Sequence, residues 1–136
     1  MNIFEIPINV RFLDIDVMGH VNHTVIIGYF TEGRNRFLEG FYSHFDQSGF
    51  PFIMASVACR YCHPIDLDNT PSVQVTVKEI KDKSFTLGYK LIEIQDKSLV
   101  YAEGESVQVC YNYKLKRSTE IHEKLRIYLQ KYAVDK

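Results

Sequence analysis

The alternation of apolar and polar residues near the start of the chain predicts a half-buried β-strand. Apolar side chains occupy every second position from Phe4 to Phe12, with polar residues or Pro7 between them. Because proline has no N–H to donate, Pro7 places this strand at the edge of a sheet. From Asn22 onwards the apolar period becomes that of a helix. The apolar face of this predicted helix comprises Ile26, Tyr29, Phe30, Gly33, Phe37, Leu38 and Phe41.

Both ends of the predicted helix carry sequence signals. Asn22 is a good N-terminal cap, since its side-chain oxygen can accept a backbone N–H. Gly40 and the segment 47–51 are expected to end helical order.

Four more runs are predicted to form strands, at residues 52–62, 72–80, 84–94 and 99–113. The last of these carries Val107, Val109, Tyr111 and Tyr113 on one side. Short polar turns join the last three strands, which indicates an antiparallel meander. A final amphipathic segment, with Ile121, Leu125 and Leu129 on one face, predicts a C-terminal helix. The chain is therefore expected to form one α+β domain over residues 1–136, with the first helix packed in the concave face of the sheet.

Composition excludes several classes of partner. The chain has 136 residues and a formal net charge of −1, so it has no overall field to attract nucleic acid or anionic lipid. No apolar run reaches the roughly 18 residues of a membrane span, and the N-terminus lacks the blocks of a signal peptide. Three cysteines without an export signal favour a reduced, cytoplasmic protein.

The junction between the first strand and the helix is the most informative part of the chain. The loop from Asp14 to His20 aims Asp16 at the N-terminus of the helix, where the first N–H groups lack partners within the helix. A carbonyl held between the two would be polarised on one side and attacked from the other. This arrangement predicts a hydrolase that needs neither a metal nor a Ser-His-Asp triad.

Three segments resemble the acyl-CoA thioesterases of the hydroxybenzoyl-CoA thioesterase type, which have the hotdog fold. They are the DxDxxGxVN-type loop 14–22, the helical run YFTEGRNRFL, and the stretch 78–85, a basic turn before Ser-Phe. The resemblance extends over residues 10–125, and Glu103-Gly104-Glu105 supports the alignment. It implies a long central helix wrapped by a five-stranded antiparallel sheet, followed by a C-terminal helix.

The resemblance also implies an activity and a set of catalytic residues. The protein is expected to hydrolyse an acyl-CoA thioester to a carboxylic acid and coenzyme A, with no cofactor. Asp16 would act as general base or as nucleophile. The backbone N–H of His23 would hold the carbonyl oxygen. Asn22 would position water or cap the helix, two roles that the sequence does not separate. Asp14 is interpreted as a structural hydrogen-bonding residue of the loop, and His20 more as a satisfied polar group than as a base.

The coenzyme and acyl ends of the substrate are assigned in the same way. Lys81, Lys83 and Ser84 match the turn that contacts the nucleotide end of coenzyme A in the family, and Arg60 lies on a strand near them. A Lys-Asp-Lys turn is also a common solvated hairpin tip. The acyl group is expected to lie against the helix near Ile26 and Ile27 and against residues 53–57 of the second strand.

A homodimer or homotetramer is expected, because a five-stranded sheet leaves open edges and hotdog thioesterases build their sites between subunits. Three other functions remain open: a hotdog hydratase or dehydratase, a non-catalytic acyl-CoA-binding module, and a thioesterase acting on acyl carrier protein.

Two metal-like motifs are interpreted as structural. The sequence from Cys59 to His63 has the spacing CxxCH of haem attachment, but positions three apart on a strand project to opposite faces, which argues against haem and zinc alike. Asp66, Asp68 and Asn69 lack the remaining ligands of a calcium loop.

Overall fold

In the part of the chain that the structure describes, six antiparallel strands form the sheet and two α-helices pack with it. The computed structural model describes residues 2–41 and 51–134. The strands are β1 (Phe4–Pro7), β2 (Phe52–Tyr61), β3 (Pro71–Ile80), β4 (Ser84–Glu93), β5 (Val100–Asn112) and β6 (Arg117–Ser118), and the helices are α1 (His23–Glu39) and α2 (Glu123–Gln130). The order across the sheet is β1-β3-β4-β5-β2, and β6 pairs with β5. No helix within the described ranges is long and apolar enough to cross a membrane.

This topology confirms the predicted α+β fold, including the meander β3-β4-β5. β1 lies at one edge of the sheet beside β3, as Pro7 predicted. β2 lies at the opposite edge, paired with β5 alone among the strands. The sequence predicted five strands, and the sixth, β6, is a two-residue extension that is too short to show a periodic pattern.

The first strand is shorter than its alternating pattern predicted. β1 ends at Pro7, and Phe12 belongs to a short 3-10 turn, Phe12–Asp14, where it is 76% exposed. The reason is local hydrogen bonding. The carboxylate of Asp14 accepts bonds from the N–H and the guanidinium of Arg11, which replace the bonds of a continued strand.

Helix α1 begins and ends where the sequence predicted. Asn22 caps its N-terminus and Gly40 follows its last residue, whereas residues 47–50, also expected to interrupt helical order, lie outside the described ranges. Its buried residues are Ile26, Tyr29, Phe30, Gly33, Phe37 and Leu38. The helix packs mainly against β3, with further contacts to β1 and β4. Helix α2 buries Leu125 and Leu129, as predicted.

The face of β5 that packs towards the helix is not the one that carries Val107 and Val109, although those apolar residues made that face the expected one. Val107 and Val109 are only partly buried, whereas Ser106, Gln108 and Cys110 are buried. The buried polar groups satisfy one another: the hydroxyl of Ser106 contacts both the Tyr89 hydroxyl and the Gln108 side chain. Hydrogen bonding within this network allows polar residues to occupy the core side of the strand. The strand also ends at Asn112, one residue before Tyr113.

A buried carboxylate, Glu93 at the end of β4, forms hydrogen bonds with three neighbouring residues. It accepts hydrogen bonds from the N–H and hydroxyl of Thr70, from the N–H of Gln95 and from the hydroxyl of Tyr101. Burial raises its pKa, but these hydrogen bonds outweigh burial and lower the pKa from 4.5 to about 2.

We predict that Glu93→Gln destabilises the fold in a pH-dependent way. Because the pKa of Glu93 is lowered in the folded state, its contribution is complete above pH 4.5 and is lost as the pH falls towards 2. The loss should be about 2 kcal/mol at pH 7. Denaturant unfolding at pH 7 and at pH 3 measures it. A difference between wild type and variant that stays constant with pH would refute the role, and Glu120→Gln, at an exposed position, is the control.

Candidate active site

Asp14 fixes the loop that carries the candidate site. Its side chain is 1% exposed and accepts a hydrogen bond of 2.7 Å from the hydroxyl of Tyr29 in α1, besides those from Arg11. Its carbonyl oxygen accepts the N–H of Asn22 at 2.9 Å. Burial raises the pKa of Asp14, but the bonds from Arg11 and Tyr29 outweigh burial and lower it. The structural role predicted for Asp14 agrees with these contacts.

A tight turn presents the carboxylate of Asp16. The N–H of Asp16 donates to the His20 carbonyl, and the N–H of Gly19 donates to the Asp16 carbonyl, both at 2.9 Å. Gly19 has φ +84°, a left-handed conformation that glycine adopts without strain. The N–H of Met18 donates to Oδ1 of Asp16 at 2.9 Å. One oxygen of the carboxylate is therefore held by the turn itself.

Asn22 joins this carboxylate to the helix. Its Nδ2 donates to Oδ2 of Asp16 at 3.2 Å, while its Oδ1 accepts the N–H of Thr24 at 3.0 Å. The sequence left open whether Asn22 caps the helix or serves the site. The geometry combines the two, since one amide caps the helix with its oxygen and orients Asp16 with its nitrogen.

His23 supplies the first N–H of α1. Among residues 2–41 and 51–134, no acceptor is found for this N–H, so it is free to bind an oxygen from outside the chain. The carbonyl oxygen of His23 accepts a hydrogen bond of 3.0 Å from Tyr61, the last residue of β2, and the two rings lie edge to face. Asp16, Asn22 and His23 are thus brought together, as the sequence predicted.

A cavity of about 290 Å³ opens beside the start of the helix. Its lining residues are His20, Val21, His23, Ile26, Tyr61, Cys62, His63 and Pro64. Asp16 and Asn22 are not among the lining residues, although Asn22 lies between two of them in the sequence. Nδ1 of His20 lies 2.9 Å from the carboxylate of Asp66, which leaves Nε2 as the ring atom available to a ligand.

The sequence analysis did not find Tyr61 and Asp66 as parts of the site. Both reach it from the distant segment at the end of β2 and just beyond it, at separations of 38 and 46 residues from their hydrogen-bond partners. No local spacing signals such pairs. The recognisable motif in this segment is CxxCH, whose cysteines are not these hydrogen-bond partners of His20 and His23.

Most of the predicted acyl-binding residues lie along the gap between α1 and β2, but Ile53 and Ser56 are aligned with Val109 and Val107 and face the other side of the sheet. Ile26 is buried, Ile27 is half-buried, and Ile53, Met54 and Val57 are each about 40% exposed. The register opposite β5 places Met54, Val57 and Tyr61 on the helix side of the sheet. That side of β2 is therefore open to a ligand in the isolated chain.

Arg60 lies on the other face of the sheet. It forms an ion pair of 2.9 Å with Glu103 and lines an outer cavity of about 490 Å³ together with Lys78 and Lys90. Glu105 in the same wall pairs with Lys78 at 3.1 Å. Arg60 is thus separated from Asp16 of its own chain by the sheet.

Lys81, Lys83 and Ser84 lie at the far end of the sheet from the candidate site. Leu91 of β4 is aligned, through Ala102, with Tyr61 beside the helix N-terminus. Ser84 precedes Leu91 by seven residues, about 23 Å along the strand. Lys81 lies 3.6 Å from Glu79, a solvent-exposed pair. One chain alone does not bring this turn to Asp16.

The cysteines and acidic residues form no metal site in the part of the chain that the structure describes. Cys59, Cys62 and Cys110 are free thiols. Cys59 is aligned with Gly104 on the helix side of β2, and burial raises its pKa.

Comparison with protein families identifies the chain. The model of the thioesterase-like superfamily matches residues 10–129, which includes the Asp16 loop, both helices' buried faces and the whole meander. The chain belongs to this superfamily. Comparison with curated proteins finds no match.

Solved structures of similar proteins share the hotdog fold of this thioesterase-like chain. A Bacillus stearothermophilus protein predicted to be a thioesterase has 21% identity and a TM-score of 0.90, with 99% of each chain covered. A Xanthomonas campestris protein proposed to be an acyl-CoA thioesterase has 29% identity and a TM-score of 0.73, covering 80% of this chain and 93% of its own. The dynemicin thioesterase has 14% identity and a TM-score of 0.87, covering 99% and 100%.

We predict that substitutions of Asn22 distinguish its contact with the N–H of Thr24, which stabilises the helix, from its contact with Asp16. Asn22→Ala removes the cap and should destabilise the fold by about 1 kcal/mol. Asn22→Ser retains a capping oxygen, so its stability should stay close to that of the wild type. Thermal unfolding of the three proteins measures the difference. Equal stability of all three would show that the contact with Thr24 does not stabilise the helix.

Proposed function

We propose that this protein is an acyl-CoA thioesterase of the hydroxybenzoyl-CoA thioesterase type. It would hydrolyse an acyl-CoA thioester to a carboxylic acid and coenzyme A. The observation that carries the proposal is the Asn22 side chain, which contacts both the carboxylate of Asp16 and the N–H of Thr24 in the first turn of α1, where the N–H of His23 is unpartnered among the described residues. Membership of the thioesterase-like superfamily and the likeness to a protein proposed to be an acyl-CoA thioesterase support the same reaction.

The chemistry follows from two groups of opposite character. The N–H of His23 would donate to the thioester oxygen, aided by the positive end of the helix dipole, and stabilise the negative charge of the tetrahedral intermediate. In one route Asp16 would take a proton from water as the water oxygen attacks the carbonyl carbon, after which the C–S bond breaks and the sulfur leaves as a thiolate. In the other route the carboxylate of Asp16 would attack that carbon itself, and the C–S bond would break to give an anhydride and the thiolate. Water would then hydrolyse the anhydride, which releases the acid and restores Asp16.

A homodimer through β2 is part of this proposal. Within residues 2–41 and 51–134, β5 is the strand neighbour of the ten-residue edge strand β2, so the outer backbone groups of residues 53–61 face no other described strand. The loop beside Asp16 also exposes large apolar side chains, including Leu13, Val17 and Met18, each at least 75% exposed. A second copy would cover both features.

Such a dimer would bring the predicted coenzyme-binding residues to the site. Ser84, Val109 and Ile53 are aligned across the sheet at the end where β2 begins. Antiparallel pairing of two β2 strands places this end of one chain beside the Tyr61 end of the other. We propose that Lys81, Lys83 and Ser84 then bind the phosphates and nucleotide of coenzyme A. Arg60 lies on the outer face at the Tyr61 end of β2, so this pairing does not bring it to the partner's site.

We predict that Asp16→Asn lowers turnover of acyl-CoA by about 10²-fold or more, because the amide can neither accept a proton nor attack the carbonyl. Asn22→Ser should lower turnover less, since it keeps the carboxylate but releases its orientation. Release of free thiol from a panel of aromatic and aliphatic acyl-CoAs measures both effects. Asp68→Asn, an exposed carboxylate of the next loop, is the control.

The outcomes separate the competing functions. Turnover that is indifferent to Asp16→Asn would overturn the mechanism. Binding of acyl-CoA without any thiol release would favour a non-catalytic module. Preference for acyl carrier protein over acyl-CoA would identify a carrier-protein thioesterase, and hydration of enoyl-CoA without thiol release would identify a hydratase.

We predict that Val57→Lys converts the protein to a monomer. A lysine on the edge strand introduces a charge beside the proposed subunit contact, where Val57 is 44% exposed. Light scattering coupled to size-exclusion chromatography measures the mass. Ile127→Lys places the same charge at a comparably exposed position on α2 and should leave the mass unchanged. A monomeric, fully active wild type would refute the dimer.

A further inference from the structure

Arg34 lies on the same face of α1 as His23. Eleven residues separate them, which is three helical turns with an angular offset of about 20° and a rise of about 16 Å. Because side chains of a helix lean towards its N-terminus, the guanidinium reaches back along the helix towards His23. Any acyl chain that starts at the N–H of His23 and follows the helix meets Arg34.

The surroundings of Arg34 are partly buried and contain little to balance its charge. It lines a cavity of about 130 Å³, together with Asn35, Leu38, Phe52, Ile53, Met54 and Gln108. Within residues 2–41 and 51–134, Arg34 takes part in no ion pair, although Arg36, two residues further along the helix, pairs with Glu39 at 3.7 Å. An arginine stays charged at every physiological pH, so a half-buried one without a carboxylate favours an anion or a polar oxygen beside it.

The guanidinium of Arg34 lies near the hydroxyl of Tyr89, which contacts Ser106 in a buried network. Burial raises the pKa of Tyr89, and the bond from Ser106 and the nearby charge of Arg34 offset part of that rise. The amide nitrogen of Gln108 is already committed to the carbonyls of Phe85 and Ser106. Arg34 therefore has donors to spare in this cavity, since a guanidinium carries five N–H groups, and it is the cationic one among the lining residues.

The two cavities lie at opposite ends of one gap. The gap runs between α1 and the helix side of β2, from Tyr61 in the first cavity to Met54 in the second. Ile27 and Thr31 of the helix and Val57 of the strand lie between those ends, and each is at least partly exposed. The middle of the gap is therefore largely apolar, whereas its far end is cationic.

We propose that Arg34 is a specificity-determining residue that recognises a carboxylate or another oxygen acceptor at the distal end of the acyl group. This inference rests on the proposed function and names its substrate class: acyl thioesters with an apolar middle and an oxygen function remote from the thioester. A carboxylate accepts two parallel N–H bonds from one guanidinium, which makes it the acceptor that Arg34 suits best.

The test compares matched substrates. Thiol release is measured for ω-carboxyacyl-CoA, ω-hydroxyacyl-CoA and unsubstituted acyl-CoA esters at each of several chain lengths. The wild type should prefer the ω-carboxy ester at one length by at least about tenfold in kcat/KM. Arg34→Met should abolish that preference while it retains turnover of the unsubstituted ester. Arg34→Lys should retain part of it. Arg36→Met, on the exposed side of the same helix, should change nothing.

The preference is the ratio of kcat/KM for the ω-carboxy ester to kcat/KM for the unsubstituted ester, measured on the same variant. Partial unfolding lowers both values equally, so it does not change this ratio. A wild type that hydrolyses unsubstituted esters as well as the ω-carboxy esters at every length would overturn the inference and leave the proposed function intact. The converse case is tested by calorimetric binding of the free dicarboxylic acids. Binding that Arg34→Met abolishes would support the Arg34 site even if no thioester were hydrolysed, and the absence of both preference and binding would refute it.

Discussion

The side-chain amide of Asn22 sets the geometry on which the candidate site depends. One end of this amide caps the helix at Thr24, and the other end holds the carboxylate of Asp16. The separation between the carboxylate and the helix N-terminus is therefore fixed by the size of one planar group. Asp14 stabilises the same junction between loop and helix through its hydrogen bonds with Arg11 and Tyr29. Because these contacts lie within a stretch of about twenty residues, the junction forms from local sequence and needs the sheet only as a support.

That locality explains why the sequence predicted this part of the molecule well. A helix cap, an apolar helical period and a strand broken at proline are each determined by a few neighbouring residues, so Asn22, the buried face of α1 and the edge position of β1 could all be predicted. The meander followed in the same way from its short turns. The resemblance to hotdog thioesterases added the role of Asp16, which spacing alone does not assign.

The features that sequence could not predict depend on which strands become neighbours. The alternating pattern divides β5 into two faces, and the more apolar face is the one that a reader of the sequence would place against the helix. The helix instead covers the face with Ser106 and Gln108, because these two residues satisfy each other's hydrogen bonds there. The contact of Tyr61 with His23 likewise exists only because β2 joins the sheet beside β5. The same strand order puts Arg60 on the outer face. Each of these outcomes is a long-range pairing, and one sequence carries no signal for its register.

The close approach of α1 to β3 accounts for the open gap along β2. A Cβ added at Gly33 would lie 2.7 Å from Val73, so glycine at this position lets the helix settle against β3. Because the helix lies close to β3, it does not cover the side chains of β2 that face it. Met54, Val57 and Tyr61 are therefore each more than 40% exposed to solvent. In an ordinary core such a strand would be a defect. Here the same displacement leaves space beside β2, and this space is where the proposed acyl chain would lie.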